Sequence, residues 1–189
     1  MYFTDTTKSE QEFIPNVHCL GRSGFRTVKN LSIAFMTDYK TETTEVFLKD
    51  REIPSNGNGV DIFIADHHPE GIFRGLDEST TLPKLAKGSS HISNIVNLLK
   101  PKYLFVTNPN TYFERLPYTN NDSSISRFYL IPDSFNSNKQ KFLVALSMTP
   151  VLSSSSPPTQ LPTNGIFTLF LYILIIYFRC NTFSIYTKK

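Results

Sequence analysis

Two short runs in this chain hold residue types that could bind a metal or polarise a substrate: Asp66-His67-His68-Pro69 and Asn108-Pro109-Asn110. Carboxylates and imidazoles are good ligands for Zn²⁺, Mn²⁺ or Fe²⁺, whereas an amide offers only a weak carbonyl oxygen. The first run could therefore begin a metal site. Adjacent histidines on an extended turn, however, point in divergent directions and rarely serve one ion, so a solvated loop is the competing reading. The remaining histidines are weaker candidates. His18 lies in an apolar stretch where a ring satisfied by hydrogen bonds is expected, and His91 opens a helical pattern where it is expected to be exposed. Gly21-Arg-Ser-Gly24 lacks the spacing of a phosphate cradle and predicts a tight turn between strands; Asn56-Gly-Asn-Gly59 predicts a loop. No Gly-x-Ser-x-Gly elbow, His-Glu-x-x-His helix or Cys-x-x-Cys pair is present, which removes support for the common hydrolase and zinc readings.

The elements that must position these runs are short and apolar. Strands are predicted at Val17–Leu20, Leu31–Met36, Val60–Ala65, Tyr103–Thr107, Arg127–Ile131 and Lys141–Leu146, each bounded by turn residues. Between the third and fourth, Gly88-Ser-Ser signals a helix start. Ile92, Ile95, Val96 and Leu99 then recur on one face, and Lys100-Pro101 stops the helix. The order strand, helix, strand over residues 60–107 is that of a parallel crossover unit, and the near-continuous apolar run from Val60 to Ala65 suits an interior strand. The fold class is α/β, turning to α+β with antiparallel strands toward the end. Ligand sites in such sheets lie beyond the carboxyl ends of the strands, where both candidate runs fall.

Length and charge narrow the function classes. The 189 residues suit one domain with a short extension. Arg179, Lys188 and Lys189 are the only charges after Pro150, so residues 1–150 balance 16 basic against 16 acidic side chains. A neutral domain gives no electrostatic reason for tight RNA or DNA binding. Cys19 and Cys180 lie in stretches of different character, which argues against a disulfide framework. The amino-terminal residues lack the basic start and apolar stretch of a secretory signal, and an intracellular, reduced setting is predicted.

Residues 1–150 form the predicted domain, and 151–164, with Ser153-Ser-Ser-Ser-Pro-Pro158, read as a linker. The tail, 165–189, begins with 14 uncharged residues from Gly165 to Phe178. That run is short of the roughly 20 residues that span a bilayer as a helix. It reads either as a non-native end or as a carboxy-terminal membrane anchor.

Several stretches resemble the Cwf-nineteen-like family of spliceosome-associated proteins. They are Val60-Asp-Ile-Phe-Ile-Ala-Asp-His-His-Pro-Glu-Gly71, Lys100-Pro-Lys-Tyr103 and Tyr112-Phe-Glu-Arg-Leu-Pro-Tyr118, joined by Leu20-Gly-Arg-Ser-Gly24, Ser126-Arg-Phe-Tyr129 and Lys139 to Pro150. Together they cover roughly residues 10–150. The resemblance implies the carboxy-terminal half of a calcineurin-like metallophosphoesterase fold, left incomplete because the chain starts at a point matching the middle of that domain. In the related lariat-debranching enzymes a metal-ligand His follows the strand matching Val60–Ala65, and a later strand ends in His-x-His. Here those positions hold Asp66, Asn108 and Asn110. Phosphodiester hydrolysis of this class needs two metals about 3.5–4 Å apart, held by several carboxylate and imidazole ligands.

What the resemblance implies is therefore a nuclear protein without catalytic residues, metal ligands or cofactor. It would be an interaction module of the splicing machinery, accessory to intron lariat debranching and pre-mRNA splicing. Its partners would be spliceosomal proteins, with the debranching enzyme itself among the candidates, and direct RNA contact is left open. Tyr112, Phe113, Arg115 and Tyr118 are the candidate binding residues, since Arg and aromatic side chains dominate interface hot spots. The competing role for that motif is structural, turning a strand and filling the core. The competing functions are a residual metal-dependent phosphodiesterase or nuclease centred on Asp66, His67 and His68, and a tail-anchored membrane protein.

Overall fold

The computed structural model describes residues 11–14, 17–28, 30–37, 47, 59–76, 83, 85, 87–108, 110–148, 170–172 and 183–186. The side chains of His18 and Cys19, all of Cys180, residues 56–58, and the linker 151–164 lie outside that description. The chain is mixed α/β. In order it runs β1 (Gln11–Ile14), β2 (Val17–Gly21), β3 (Ser23–Val28), β4 (Leu31–Met36), β5 (Ile62–Ala65), α1 (Ser90–Leu99) and β6 (Tyr103–Asn108). There follow β7 (Phe113–Glu114), β8 (Tyr118–Thr119), β9 (Ile125–Pro132), β10 (Ala145–Ser147), β11 (Phe170–Tyr172) and β12 (Phe183–Tyr186).

A seven-stranded sheet carries the fold, in the order β3-β4-β5-β6-β9-β7, with β8 also pairing β9. Its centre, β4, β5, β6 and β9, is parallel; β3 at one edge and β7 and β8 at the other run antiparallel. The parallel pairing of β5 with β6 across α1 is the crossover unit expected from the sequence. Parallel centre strands buried on both faces read as continuous apolar runs, and every residue of Ile62–Ala65 is buried. Side chains alternate between two packed faces. Ile33, Phe35, Ile62, Ile64, Tyr103, Phe105 and Tyr129 share one; Phe63, Ala65, Leu104, Val106, Phe128 and Leu130 share the other with the helix.

The helix follows its sequence signals closely. Ser89 is the N-cap, its Oγ accepting from the Ile92 N–H at 3.2 Å, and Lys100 closes the end in the left-handed conformation, its N–H donating to the Val96 carbonyl at 2.8 Å. Ile92, Ile95, Val96 and Leu99 are the buried face, each contributing about 1.5–3 kcal/mol by leaving water. His91, expected to be exposed, is half-buried, because the helix start is pinned to the loop after β5. Ser89 N–H donates to the His68 carbonyl at 2.9 Å, and Glu70 N–H donates to the Ser89 carbonyl at 3.1 Å.

Several expectations shift. The turn predicted at Gly21–Gly24 narrows to a bend at Arg22: Gly21 ends β2, and Ser23 and Gly24 already begin β3, a strand that was missed, as were β1, β7 and β8. The strand predicted at Lys141–Leu146 begins only at Ala145. In the tail, β11 pairs antiparallel with β10, and β12 with β2. Among the described residues no helix is long and apolar enough to cross a membrane.

Candidate functional site

Both candidate runs sit where the parallel strands end. Ala65 pairs with Val106 in the sheet, so Asp66 leaves its strand level with Thr107 while β6 continues to Asn108 beside Pro132. The topology thus brings Asp66 and Asn108 to one edge of the sheet, as the sequence predicted. The side chains there are used differently.

Asn108 closes a turn. Its Oδ1 accepts from the backbone N–H groups of Asn110 at 3.1 Å and Thr111 at 3.0 Å, the local competition for backbone donors that favours Asn at turns. Asn110 is exposed and tethers the loop after β9. Its Oδ1 accepts from Ser137 Oγ at 3.3 Å and its carbonyl from Asn138 Nδ2 at 3.2 Å. Asp66 Oδ1 lies 3.1 Å from Nδ1 of the exposed His67. The His68 ring instead packs on Phe73, with centroids 5.6 Å apart. The two histidines diverge, as the extended turn requires. Among the described residues no three His, Cys, Asp or Glu side chains are grouped to hold a metal ion. The donor set does not fit a dinuclear transition-metal centre: one carboxylate with its neighbouring imidazole, and amides of which one has its oxygen committed to two N–H donors.

The motif from Tyr112 to Tyr118 lies along the outer edge of β9. Phe113 and Glu114 pair with Leu130 and Tyr129, and Arg115 N–H donates to the Phe128 carbonyl at 3.0 Å. Phe113 packs edge-on to Phe73 at 5.5 Å and joins the helix-side core. Arg115 turns inward. Its guanidinium donates to the carbonyls of Ile72 and, at 3.0 Å, Arg74, and lies over the Tyr118 ring at 4.7 Å. It therefore clamps the turn after β5 to the sheet edge. Tyr118 packs on the same core with its hydroxyl enclosed, and burial pushes that phenol up.

Tyr112 faces the opposite side of the sheet. Its hydroxyl donates to Glu114 Oε2 at 3.0 Å and accepts from Lys141 Nζ at 3.3 Å, and that ammonium lies 5.0 Å from the ring centre. Burial, and then Glu114, raise the Tyr112 phenol; the same causes push Tyr129 up to about 12. The four motif side chains are thus divided between two faces of the sheet, and the tip between them carries the exposure. Leu116 is 73% exposed beside a cavity of about 260 Å³ lined by Gly75, Leu76 and Phe113 to Pro117.

Sequence reasoning passed over the loop after β9. There Phe135 is 98% exposed, next to a run of turn-forming Asn and Ser residues that could have marked a tip carrying an aromatic side chain.

Fold and strand end together define a mixed α/β protein whose sheet terminus is built from amides and turns. Comparison with known proteins narrows the relationship. No protein-family model matches the chain. It is similar to CWF19-like protein 1 of Homo sapiens, 32% identical over 103 residues, which is 51% of this chain and 19% of that protein. It is also similar to CWF19-like protein 1 of Xenopus laevis, 28% identical over 162 residues, 74% of this chain and 29% of that protein. Zinc finger CCCH domain-containing protein 64 of Arabidopsis thaliana is 29% identical over 161 residues, 79% of this chain and 27% of that protein. The chain spans between about a fifth and three tenths of the length of these curated relatives. The matches support a Cwf-nineteen-like relationship.

Proposed function

We propose that this chain is a non-catalytic, nuclear component of the splicing machinery, accessory to intron lariat debranching, that works through protein contacts on a partial metallophosphoesterase-like domain. Its partners on this reading are spliceosomal proteins, with the debranching enzyme a candidate among them. Similarity to the CWF19-like proteins supports the splicing assignment. The non-catalytic assignment is carried by one observation: the Asn108 carboxamide oxygen at the end of β6 accepts two backbone N–H groups and holds a turn. A two-metal phosphoesterase needs ligand lone pairs at that end of the sheet to activate water and steady the leaving oxygen. Asn108 directs its oxygen to the backbone instead, and His67 and His68 point apart.

The contact residues on this reading are Tyr112, Phe113, Arg115 and Tyr118, all partly exposed, with exposed Leu116 between them; Phe113, Arg115 and Tyr118 also serve the core and the clamp.

The test is incubation of the purified chain with a 2′–5′ branched RNA and Mn²⁺. No cleavage above the uncatalysed rate is expected. Cleavage that disappears in the Asp66→Ala variant overturns the proposal.

A further inference from the structure

The loop joining β9 to β10 presents an apolar surface on a rigid frame. Asn136 knits it together: its Nδ2 donates to the carbonyls of Asp133 at 2.8 Å and Gln140 at 3.1 Å, and its Oδ1 accepts from the Gln140 N–H at 2.6 Å. Two further bonds, from Ser137 and Asn138, fasten the loop to Asn110. This bracing sets Phe135 on one limb and Lys141-Phe142-Leu143 on the other. Phe135 is 98% exposed, Phe142 45% and Leu143 41%, and Lys139 stands exposed between the limbs. Holding a large aromatic side chain in water on a braced loop costs free energy that a binding partner recovers, and a pre-organised loop loses little entropy on docking.

Charge identifies the occupant. Among the described residues no carboxylate pairs with Lys139 or Lys141. Glu114, near Lys141, is engaged by the Tyr112 hydroxyl, and the single carboxylate of the loop, Asp133 at its start, is outnumbered by Lys139 and Lys141. The patch is therefore apolar with a cationic rim. Aliphatic Leu143 offers no stacking plane for a base, and two lysines on a charge-balanced domain make a poor phosphate track. An acidic peptide with apolar side chains matches both features.

We propose that residues 133–143 form a docking site for an acidic segment of a protein partner, whose apolar side chains seat on Phe135, Phe142 and Leu143 and whose carboxylates meet Lys139 and Lys141. The site rests on the protein-contact reading above but fails separately from it.

The test pans a random dodecapeptide phage library on the full chain and measures the affinity of a selected peptide by fluorescence anisotropy. Enrichment of peptides combining Asp or Glu with Leu, Phe or Trp is expected. Their binding should weaken with salt and fall at least about tenfold in both Phe135→Ser and Lys139→Glu. Both side chains are exposed, so the variants should keep the parent circular dichroism spectrum and melting temperature. The proposal is overturned by absence of acidic enrichment or by peptides that bind Phe135→Ser as tightly as the parent. An oligouridine whose binding is lost in Phe135→Ser also overturns it. Such a failure, with branched RNA still uncleaved, leaves the non-catalytic reading standing; cleavage of branched RNA with peptide binding intact removes that reading alone.

Discussion

The two ends of the parallel strands treat polar groups in opposite ways. At the amino end they are buried and bonded to one another. Asp61 is 1% exposed, and its Oδ2 accepts from both the N–H and the Oγ of Ser32 at 2.8 Å each, while Asp61 N–H donates back to Ser32 Oγ at 2.9 Å. Nearby, fully buried Ser126 donates to the Pro101 carbonyl at 2.6 Å and accepts from Asn120 Nδ2 at 2.8 Å. Burial lowers the Lys102 ammonium, which Asp61 offsets by its charge. Gly59 fits here because its φ of +78° and the carbonyls of Leu99 and Lys100, 2.6 Å from where a Cβ would stand, admit no side chain. At the carboxyl end the buried hydroxyls bond to backbone instead, Thr37 Oγ1 donating to the Arg22 carbonyl at 3.0 Å and Ser89 Oγ accepting from the Ile92 N–H at 3.2 Å, while His68 and Asn108 are half-buried and His67 and Asn110 exposed. The difference teaches where this sheet buries a carboxylate and bonds side chains to one another: in holding β4, β5 and the helix end together, not at the end where α/β proteins place ligands.

The comparison breaks most visibly at Asp61. Asp61→Ala strands the Ser32 N–H and hydroxyl in a water-free core and should cost about 3 kcal/mol in urea unfolding. A loss below about 1 kcal/mol would show that the amino-end network contributes little. Next comes Arg115, which belongs to neither end but ties the turn after β5 to the sheet edge. Arg115→Met keeps the apolar stem and removes both carbonyl bonds, so about 2 kcal/mol of stability should be lost. Unchanged stability would show that the clamp contributes little and leave partner contact as the task of Arg115.

At the carboxyl end, Asn108→Ala should cost only about 1 kcal/mol, the scale of a turn whose freed N–H groups meet water. A penalty matching that of Asp61→Ala would erase the distinction between the ends. The smallest effect belongs to the ion pair of Lys100 with Asp122, 2.8 Å apart and about one third exposed. Hydrogen bonds from Lys100 and Ser124 hold the Asp122 carboxyl down at about 2. A carboxyl depressed in the folded state stabilises above its unfolded value, near 3.9. Its contribution is lost as pH falls from about 4 through about 2. Solvent screening limits it to about 0.5 kcal/mol, read as the difference between wild type and Asp122→Asn in acid titration of the melting temperature.

Helix α1 was legible almost to the residue because its cap, its apolar period and its stop all point one way. Leu31–Met36 was equally plain, being fully buried and uninterrupted. The strand Ser23–Val28 was not, since Gly24 and Arg26 break the apolar run of an edge strand whose pairing comes from β4. The two-residue strands β7 and β8 exist only through β9 and leave no local pattern. At the site, the placement of Asp66 and Asn108 on one sheet edge followed from the crossover rule, and the weakness of amide ligands from their chemistry. The task of Arg115 did not follow, because its acceptors are backbone carbonyls 41 and 43 residues earlier, which no side-chain pattern announces. Nor did the exposure of Phe135, which depends on Asn136 bracing the loop from within.

Titration of the purified chain with Mn²⁺ by calorimetry tests the central claim most directly, because a dinuclear centre must first bind metal. The carboxyl end described here predicts no saturable heat in the sub-millimolar range, with Asp66→Ala indistinguishable from the parent. Sub-millimolar binding with a stoichiometry near two, lost on replacing Asp66, would contradict it.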